Sequence, residues 1–409
     1  MTDSQIKSCP GCGSSGAENL FAVEQAPRSC AKLFSSAESA GQSGNCRLDI
    51  TLCPTCGHVW NDSFEEAPGD LYDDDYYSSF TKFAKARDSQ EQMAKDLDEL
   101  VSLSGKTVVE IGCGDGFFLG VLARLGAAGI GFEPSSTYEL AREQPGVQVT
   151  NGFFGFSGSP SVDAPVDVVV MRHVLEHMES PAEVLRSLAG PAFQGAPPEY
   201  LFIEVPNAYQ LLRDDLYFDF YNDHVHYFSH SSLDRFVREA GWAPIARLAS
   251  EEEFLVLVCR NEMVAESQHM AETKVNPSTK SVVDAAGSFR RNFKSWQKGL
   301  TGIINKEQEQ GHRVAVWGAG ARGVSLVAGI RLPDDTFAYI IDADPNKHGK
   351  FLPVSQMEIC SARRLEDDPV DCVLVTSYTY FDDIVGQLAG FRSGGGKIIK
   401  VYPIPEIIG

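Results

Sequence analysis

Short apolar runs alternate with amphipathic stretches in two separate parts of the chain, and this alternation constrains the fold most strongly. The first series begins near Lys106 and contains TVVEIG, GIGFEP, VDVVVMRH and YLFIEVPN. The second contains RVAVWGAGARG, FAYIIDADP, DCVLVTSYTY and KIIKVYP. Apolar runs separated in this way by helical patterns are typical of βαβ units around a parallel sheet. The sequence therefore predicts an α/β protein with two Rossmann-like domains, the second of them smaller.

The length and the cysteine distribution predict a third unit. A chain of 409 residues is longer than one hydrophobic core usually supports. Six of the ten cysteines lie in the first 56 residues, which marks the N-terminus as separate. A polar stretch with a predicted helix over 281–308 links the two α/β series. We predict a small cysteine-rich domain at 1–65, a central domain at 66–262, and a linker helix with the smaller α/β domain at 263–409.

Charge and hydropathy exclude several classes of protein. Acidic residues exceed basic ones by 21, and such a surface would repel a nucleic-acid backbone. No apolar run approaches the roughly 20 residues that span a bilayer, and the N-terminus lacks the pattern of a signal peptide. We therefore expect a cytoplasmic protein with no nucleic-acid or membrane partner and no disulfide framework. No repeat or zipper suggests assembly, so we expect a monomer.

Two CxxC pairs, CPGC and CPTC, predict a metal site in the N-terminal domain. Each CxxC turn directs both of its sulfurs at one point, and two turns present four thiolates tetrahedrally. Four cysteine ligands close the coordination sphere, so the expected ion is a structural Zn²⁺ held by Cys9, Cys12, Cys53 and Cys56. Cys30 and Cys46, which lie between the pairs, are alternative ligands. A redox dithiol and unrelated free cysteines are the other interpretations.

The segment VVEIGCGDGFFLGVLARLG predicts a nucleotide site on a strand, a glycine-rich turn and a helix. Gly112, Gly114 and Gly116 lack the Cβ atoms that would block a ligand lying over the turn. Glu133 ends the next strand, where a carboxylate can accept hydrogen bonds from both ribose hydroxyls. The leading Glu110 and this acidic residue make the motif more specific than a bare GxGxG. An NAD-binding Rossmann domain is the alternative.

This motif, together with VDVVVMRHVLEHMESPAEVL, resembles the class I S-adenosylmethionine-dependent methyltransferases. The resemblance implies that S-adenosyl-L-methionine is the cofactor. It places beside the cofactor, in addition to the residues above, Pro134, Phe153 of NGFFG on the adenine side, and Met171, Arg172 and His173. Glu176 and His177 either cap the following helix or take a direct part.

The whole chain resembles the zinc-containing sugar C-methyltransferases of deoxysugar pathways, which methylate C3 of a nucleotide-linked 4-keto-hexose. The shared segments include CPGCG, LCPTCGHVW, YDDDYYSSF, VVEIGCGDG, IEVPN, FDFYNDHVHYFSHSSL, VWGAGARG and IIDADPNKHGKFLP. The family usually has His-Glu-His where this chain has Asn222-Asp223-His224, so the chain is a divergent member. The resemblance implies a small-molecule acceptor, specifically a nucleotide sugar.

The loop YNDHVHYFSH, residues 221–230, carries the predicted chemistry. Methylation next to a ketone needs a base that removes the α-proton, and a near-neutral imidazole suits that task. The family likeness assigns His224 as the base, with Asp223 orienting it. Tyr227 and Tyr76, or Tyr77 in place of Tyr76, are the predicted donors to the enolate oxygen. His226 shares a face with His224 if the segment is extended. Packing, gating of the site and metal binding are the alternatives, and Ser229 or Ser231 is the expected N-cap.

Gly318, Gly320 and Gly323 follow the strand RVAVW and open a helix, and Asp342 ends the next strand. This pattern is a dinucleotide fingerprint with phosphate over the helix N-terminus. The family resemblance instead implies that this domain binds the acceptor, with Arg322 and Lys347 supplying positive charge. An NAD site and a purely structural role are the alternatives.

The sequence thus predicts a C-methyltransferase acting on a nucleotide-linked ketosugar. Carbon, oxygen or nitrogen methylation of another small molecule is the first alternative. A non-catalytic S-adenosylmethionine-binding protein and a bifunctional protein with an NAD-dependent oxidoreductase unit are the others.

Overall fold

The structure is a computed structural model that describes residues 8–64, 84–155, 162, 164–190, 192–193, 195–248, 252–264, 277–330, 332–333 and 335–409. Its strands form three sheets of four, seven and six strands. No helix among these residues is long and apolar enough to cross a membrane.

The N-terminal region is an antiparallel sheet built around the cysteines. Its elements are β1 (Glu18–Pro27), α1 (Ala37–Gln42), β2 (Asn45–Leu52) and β3 (Val59–Asn61). Ser36 caps α1 by accepting a hydrogen bond from the Ser39 N–H, which satisfies one donor of the first turn. The CPTC turn lies between β2 and β3, so the sheet holds one cysteine pair directly.

The central region alternates helices and strands, as its apolar runs predict. In chain order its elements are α2 (Ala84–Val101), β4 (Thr107–Ile111), α3 (Phe117–Arg124), β5 (Ala128–Glu133), α4 (Tyr138–Ala141), β6 (Val147–Asn151), β7 (Val168–Arg172), α5 (Pro181–Leu188), β8 (Tyr200–Pro206), α6 (Ala208–Arg213), β9 (His226–Tyr227), α7 (His230–Glu239), β10 (Trp242–Arg247) and β11 (Phe254–Asn261). A 3₁₀ turn spans Leu175–His177.

The central sheet has the strand order β10-β11-β8-β7-β4-β5-β6. Strands β4 to β8 pair in parallel, and β11 runs antiparallel to both β8 and β10. The inner strands are apolar along nearly their whole length; Val168, Val169 and Val170, for example, are fully buried. Near-continuous apolar runs are expected where helices cover both faces of a parallel sheet.

Strand β9 belongs to the N-terminal sheet although it lies far along the chain. It pairs antiparallel with β3, in the register Val59↔Tyr227 and Trp60↔His226, and completes the order β1-β2-β3-β9. The sheet of the predicted first domain therefore takes its last strand from the predicted second domain. The three-domain division itself stays a prediction.

The C-terminal region is a second doubly wound sheet preceded by a long helix. Its elements are α8 (Thr279–Glu309), β12 (Val314–Trp317), α9 (Ala321–Gly329), β13 (Phe337–Ile341), β14 (Ile359–Cys360), α10 (Arg364–Asp367), β15 (Cys372–Val375), α11 (Phe381–Gln387), α12 (Ala389–Ser393), β16 (Lys397–Lys400) and β17 (Glu406–Ile408). The strand order is β14-β13-β12-β15-β16-β17, with only β16 and β17 antiparallel.

Helix α8 packs between the N-terminal sheet and the rest of the chain. Its fully buried Phe289 contacts the rings of Phe21 from β1 and Tyr217 from the loop after α6. Trp296 donates its indole N–H to the Val401 carbonyl at 2.9 Å. The linker helix is therefore part of a shared core, which fixes the N-terminal sheet against the segment that carries the histidine-rich loop.

Candidate active site

The topology of the central sheet locates its ligand crevice. From β4 the chain moves outward to β5 and β6, and then returns to place β7 on the other side of β4. Ligands of doubly wound sheets bind outside the carboxyl ends of the strands at such a reversal. The glycine-rich turn follows β4 there, and Met171, Arg172 and His173 lie at and just beyond the end of β7.

The glycine-rich turn leaves open space above it. Gly112 has a φ of +71°, and a Cβ added to it would lie 2.5 Å from Cγ2 of Val174. Gly114 also has a left-handed φ, +57°, but no atom lies within 4 Å of its virtual Cβ. The first glycine is thus required by packing, whereas the second keeps a surface clear.

Glu133 is joined to this turn by its carboxylate. One oxygen accepts a hydrogen bond from the Gly114 N–H at 2.8 Å and the other accepts one from the Ser135 N–H at 2.9 Å. The side chain is buried at the carboxyl end of β5, where Pro134 follows it. Phe153, just after β6, is 70% exposed. These predicted cofactor residues therefore lie at the carboxyl ends of neighbouring strands, and their contact with a cofactor stays a prediction.

Arg172 points along the sheet into a buried ion cluster. Its Nε donates to Glu204 at 2.6 Å, and its guanidinium lies 4.3 Å from the ring centroid of Phe118. Glu110 lies 3.9 Å from the same guanidinium, and burial raises the pKa of Glu110 to about 8. Met171 is fully buried. Glu110, Arg172 and Glu204 thus form a buried cluster of charged side chains that links β4, β7 and β8.

His173 has a left-handed backbone, with a φ of +54°. Its imidazole lies 3.7 Å from a carboxylate oxygen of Glu176 and 3.7 Å from one of Glu204. Burial alone would lower the pKa of His173, but the two carboxylates outweigh it and raise that pKa. A residue other than glycine at positive φ is uncommon and tends to occur where the surrounding structure enforces it.

The histidine-rich loop divides its side chains between two environments. His226 and Tyr227 are both buried in β9. Nδ1 of His226 lies 2.9 Å from Nε2 of His58, and its Nε2 lies 3.3 Å from the Glu179 carbonyl. The Tyr227 hydroxyl donates to the Tyr221 carbonyl at 2.8 Å and accepts from the Tyr221 N–H at 2.7 Å. Catalytic roles for both residues stay predictions.

His224 lies outside the strand and faces the segment after β7. Its ring centroid is 4.8 Å from that of His177, with the planes at 86°. Glu176, His177 and His224 each offer one ligand atom within 4.8 Å of the others. Burial, with the neighbouring His177, lowers the pKa of His224 to about 3, so the imidazole is neutral at physiological pH.

Glu176 is the most unusual member of this group. It is 1% exposed, and neither carboxylate oxygen has a hydrogen-bond partner among the described residues. Burial alone would raise the pKa of Glu176, but His173 and His177 outweigh it and lower that pKa. A buried carboxylate of this kind stabilises a neighbouring positive charge. The sequence pattern VLEH singled out Glu176 and His177 without distinguishing a cap from a site.

Asp223 acts on this group through its backbone. Its carbonyl accepts a hydrogen bond from Nδ1 of His177 at 2.7 Å, which leaves the lone pair of that ring on Nε2. The carboxylate contacts Ser29 Oγ at 3.4 Å, and burial raises the pKa of Asp223. Tyr76, predicted as an oxyanion donor, lies outside the described residues, as does its alternative Tyr77.

The His58–His226 pair predicts a specific pH dependence of stability. Burial lowers the pKa of His226 to about 4 in the folded state, from about 6.5 in the unfolded chain. Between these values the unfolded chain binds more protons, so stability falls as pH falls below about 6.5. We expect the unfolding free energy of the wild type to drop about 2 kcal/mol more than that of His226→Asn between pH 7 and pH 5.

Urea unfolding at both pH values measures this difference. Protonation of groups that do not contact His226 affects both chains equally and cancels in the comparison. His58 is retained in both chains, and its pKa is lowered first by burial and only secondly by His226. Parallel stability curves for the two chains would mean that His226 takes up its proton over the same pH range in the folded protein as in the unfolded chain.

The four N-terminal cysteines have the geometry of a metal centre. The Sγ atoms of Cys9 and Cys56 are 3.6 Å apart, and those of Cys12 and Cys53 are 3.5 Å apart. A disulfide would need about 2.05 Å, whereas Zn–S bonds of about 2.3 Å in a tetrahedron place sulfurs roughly 3.8 Å apart. The Gly11 N–H points to Cys9 Sγ at 3.3 Å. The four-cysteine cluster therefore fits a zinc ion.

Cys30 and Cys46 lie outside this cluster. The thiol of Cys46 contacts the Ala26 carbonyl at 3.5 Å, between β1 and β2. Cys30 is buried near Asp223, and burial raises the pKa of its thiol. Neither cysteine belongs to the group of four, which is the set that the CxxC spacing predicts.

The second glycine-rich motif carries positive side chains that are already matched by acidic ones. Arg322 donates to Asp219 at 2.6 Å, pairs with Glu253 and lies over the Tyr378 ring at 4.3 Å. Lys347 lies 3.1 Å from Asp342, whose carboxylate also accepts the Ala319 N–H at 2.8 Å. Arg322 thus connects α9 to the loop before β9 and to the turn before β11, and Asp342 is bonded within its own domain.

Comparison with known proteins supports the fold and the chemistry. Residues 85–247 match the model of a methyltransferase domain family, and residues 256–405 match that of the C-methyltransferase C-terminal domain. C-methyltransferase NovU of Streptomyces niveus is 24% identical over 98% of this chain and 97% of its own length. A ubiquinone biosynthesis O-methyltransferase of Stutzerimonas stutzeri is 33% identical over 23% of this chain and 42% of its own.

Among solved structures, a magnesium protoporphyrin IX methyltransferase from Synechocystis is 14% identical and covers 45% of this chain and 86% of its own, with a TM-score of 0.33. The parallel sheet, its glycine-rich turn and the methyltransferase family match define a class I S-adenosylmethionine-dependent methyltransferase. Within this class, the C-terminal family match and the whole-length likeness to NovU both indicate a C-methyltransferase. The chain is a methyltransferase that resembles a C-methyltransferase along nearly its whole length.

Proposed function

We propose that this enzyme transfers the methyl group of S-adenosylmethionine to a carbon of a nucleotide-linked ketosugar, a dTDP-type 4-keto-deoxyhexose, through an enolate. The observation that carries the proposal is His224, a half-buried neutral imidazole beside the buried carboxylate of Glu176, which accepts no hydrogen bond among the described residues. A proton taken from carbon needs a neutral base and a nearby negative charge to stabilise the protonated base.

The cofactor would lie over the glycine-rich turn. Gly114 keeps the space clear, and the carboxylate of Glu133 is placed to exchange its backbone contacts for ribose hydroxyls. The remaining residues proposed to surround it are Glu110, Gly112, Gly116, Pro134, Phe153, Met171, Arg172 and His173. When bound, S-adenosylmethionine supplies an electrophilic methyl group on a sulfonium. The protein then contributes by holding the acceptor carbon in line with that methyl.

His224 is the proposed base and Asp223 the residue that orders its surroundings. A pKa of about 3 keeps the ring neutral, yet it also makes the free imidazole a weak base. Glu176 compensates, because its carboxylate stabilises the imidazolium as the proton arrives. The Asp223 carbonyl fixes the tautomer of His177, whose ring packs against that of His224. The two histidines and the glutamate therefore act as one proton-accepting unit.

Tyr76 and Tyr227 are the proposed donors to the enolate oxygen, and His226 is a further candidate of the loop. Tyr227 would have to give up the bond that its hydroxyl donates to the Tyr221 carbonyl. We also propose that Cys9, Cys12, Cys53 and Cys56 hold a structural Zn²⁺, which would complete the fold beside the loop without taking part in the reaction. The protein would act in the cytoplasm as a monomer.

One observation favours a second function. The methyltransferase domain is 33% identical to a ubiquinone biosynthesis O-methyltransferase over 99 residues. Oxygen or nitrogen methylation of another small molecule would use the same cofactor crevice, with His224 deprotonating a heteroatom in place of a carbon.

Product analysis separates the two functions. The full-length protein is incubated with S-adenosylmethionine carrying a ¹³C-labelled methyl group and with a panel of nucleotide-linked 4-ketohexoses. We expect a product whose labelled methyl is bonded to carbon. Its proton chemical shift identifies it, because a C-methyl group resonates far upfield of an O-methyl group. A labelled methyl on oxygen, or turnover only with acceptors that lack a ketone, would contradict the proposal.

A further inference from the structure

The group formed by Glu176, His177 and His224 has the composition of a cation site. It combines one carboxylate with two imidazoles, and a ligand atom from each lies within 4.8 Å of the others. Two nitrogens and one oxygen on one side of an ion, with the other positions open, form a common ligand set of first-row transition metals. The thiolate cluster is a separate group of four cysteines.

Each of the three side chains is prepared to ligate. Glu176 is 1% exposed, and both of its oxygens have no hydrogen-bond partner among the described residues; His173 faces only one of them, at 3.7 Å. Nδ1 of His177 donates to the Asp223 carbonyl, which leaves Nε2 as a lone-pair donor. Histidines that bind metals characteristically donate their other ring nitrogen to a carbonyl or carboxylate in this way. Nδ1 of His224 is buried without a partner.

The geometry needs only a small closure. Metal–ligand bonds of about 2.1 Å in a tetrahedron place donor atoms roughly 3.4 Å apart. Glu176 breaks no hydrogen bond within 3.5 Å when its carboxylate moves inward, and the contact that it would lengthen is the one with His173 at 3.7 Å. We propose that Glu176, His177 and His224 form a second metal site, which binds a divalent transition ion such as Zn²⁺, Co²⁺ or Ni²⁺ and thereby inhibits the enzyme. Mg²⁺ and Ca²⁺ prefer oxygen ligands and are poor occupants.

We expect inhibition because the ion and the proton of the acceptor carbon would compete for the same lone pair of His224. This part rests on the proposed function. A ring nitrogen of His224 that is bound to an ion cannot accept a proton from the acceptor carbon. The negative charge of Glu176 that stabilises an imidazolium would stabilise the ion instead. The enzyme is therefore expected to lose activity as the ion binds and to recover it when a chelator removes the ion.

Cobalt titration of the full-length protein tests the site directly. The protein is first treated with EDTA under conditions that leave its cysteine-bound metal in place, and Co²⁺ is then added in equivalents. We expect one further equivalent to bind, with weak visible d–d bands. These bands should lack the intense sulfur-to-cobalt charge-transfer absorption of a cysteine site.

Two variants locate the ion. Glu176→Gln keeps the shape but removes the charge, and we expect it to weaken Co²⁺ binding at least about tenfold. His230→Asn is the matched control, because His230 is a half-buried histidine of the same loop outside the group of three. Absence of a second equivalent, or equal affinity in Glu176→Gln and wild type, would overturn the proposed site.

A measurement on the unmodified chain covers the case in which Glu176→Gln does not fold. Bound Co²⁺ or Zn²⁺ should protect His177 and His224 from diethylpyrocarbonate, as read by mass spectrometry of their peptides, and should not protect His230. Unprotected His177 and His224 would overturn the site. Another outcome is that Co²⁺ binds, and binds more weakly to Glu176→Gln, while turnover stays unchanged. That result would support the metal site but overturn both the inhibition and the role of His224 as base.

Discussion

His224→Ala is expected to lower kcat for methyl transfer by about 10²- to 10⁴-fold, the usual contribution of a positioned general base. The affinity for S-adenosylmethionine should change little, because the side chain borders the acceptor side of the crevice. The effect should be large because the described residues offer no equivalent replacement. His177 is oriented by the Asp223 carbonyl, and His226 points to His58.

Isotope exchange shows whether the lost step is proton removal from carbon. In deuterium oxide the wild type should exchange the hydrogen on the carbon next to the ketone, and His224→Ala should not. His230→Ala is the control, since it removes another imidazole of the loop away from the Glu176 group. If both exchange and turnover survive in His224→Ala, the base is a different residue. If exchange is absent in the wild type while methyl transfer proceeds, transfer is to a heteroatom.

Local motifs made the cofactor crevice predictable from the sequence. A strand, a glycine-rich turn and an acidic residue one strand later specify their own geometry within about 25 residues, so Gly114 and Glu133 could be expected to meet. In the structure the Gly114 N–H donates to the Glu133 carboxylate at 2.8 Å. The CxxC pairs were predictable for the same reason, because each turn fixes its two sulfurs before the pairs come together.

The loop was harder to predict because its partners are remote in sequence. An extended segment over the whole loop would put His224 and His226 on one face. The strand begins only at His226, where pairing with Trp60 starts, so the two histidines separate. The side chain of His226 contacts His58, about which the loop sequence carries no information.

Charge matching across the fold was equally hidden in the sequence. Arg322 follows a glycine-rich turn and was predicted to meet a phosphate. Its acidic partners, Asp219 and Glu253, come from the central region, and no local pattern connects them to α9. The motif therefore predicts the strand, turn and helix correctly, whereas tertiary contacts determine the partners of the Arg322 side chain.

Cys53→Ser is expected to release the metal of the N-terminal cluster and to unfold the sheet around it. Cys53 is fully buried, and its N–H and C=O groups are hydrogen-bonded to His58 and Gly57, at the start of β3. Structural zinc contributes on the order of 10 kcal/mol to folding, as much as the whole net stability of a typical domain. Metal analysis should find about one equivalent less per chain than in the wild type.

The same substitution is expected to abolish turnover, although Cys53 is remote from the cofactor crevice. Strand β9 has β3 as its partner in the sheet, and His226 and Asn222 are bonded to His58 and Asn61 of the N-terminal region. When β3 unfolds, the segment next to His224 loses these supports, and the proton-accepting group loses its geometry. Hydrogen exchange measured by mass spectrometry should therefore accelerate over residues 222–228 as well as 45–61.

Cys46→Ser is the matched control for this coupling. Cys46 is a buried cysteine of the same sheet whose thiol contacts a backbone carbonyl and which lies outside the group of four. Cys46→Ser should keep its metal, its protection over residues 222–228 and its turnover. If Cys53→Ser loses metal but residues 222–228 keep wild-type protection, the loop is held by the central domain alone. The pairing of β3 with β9 would then be unnecessary for the site.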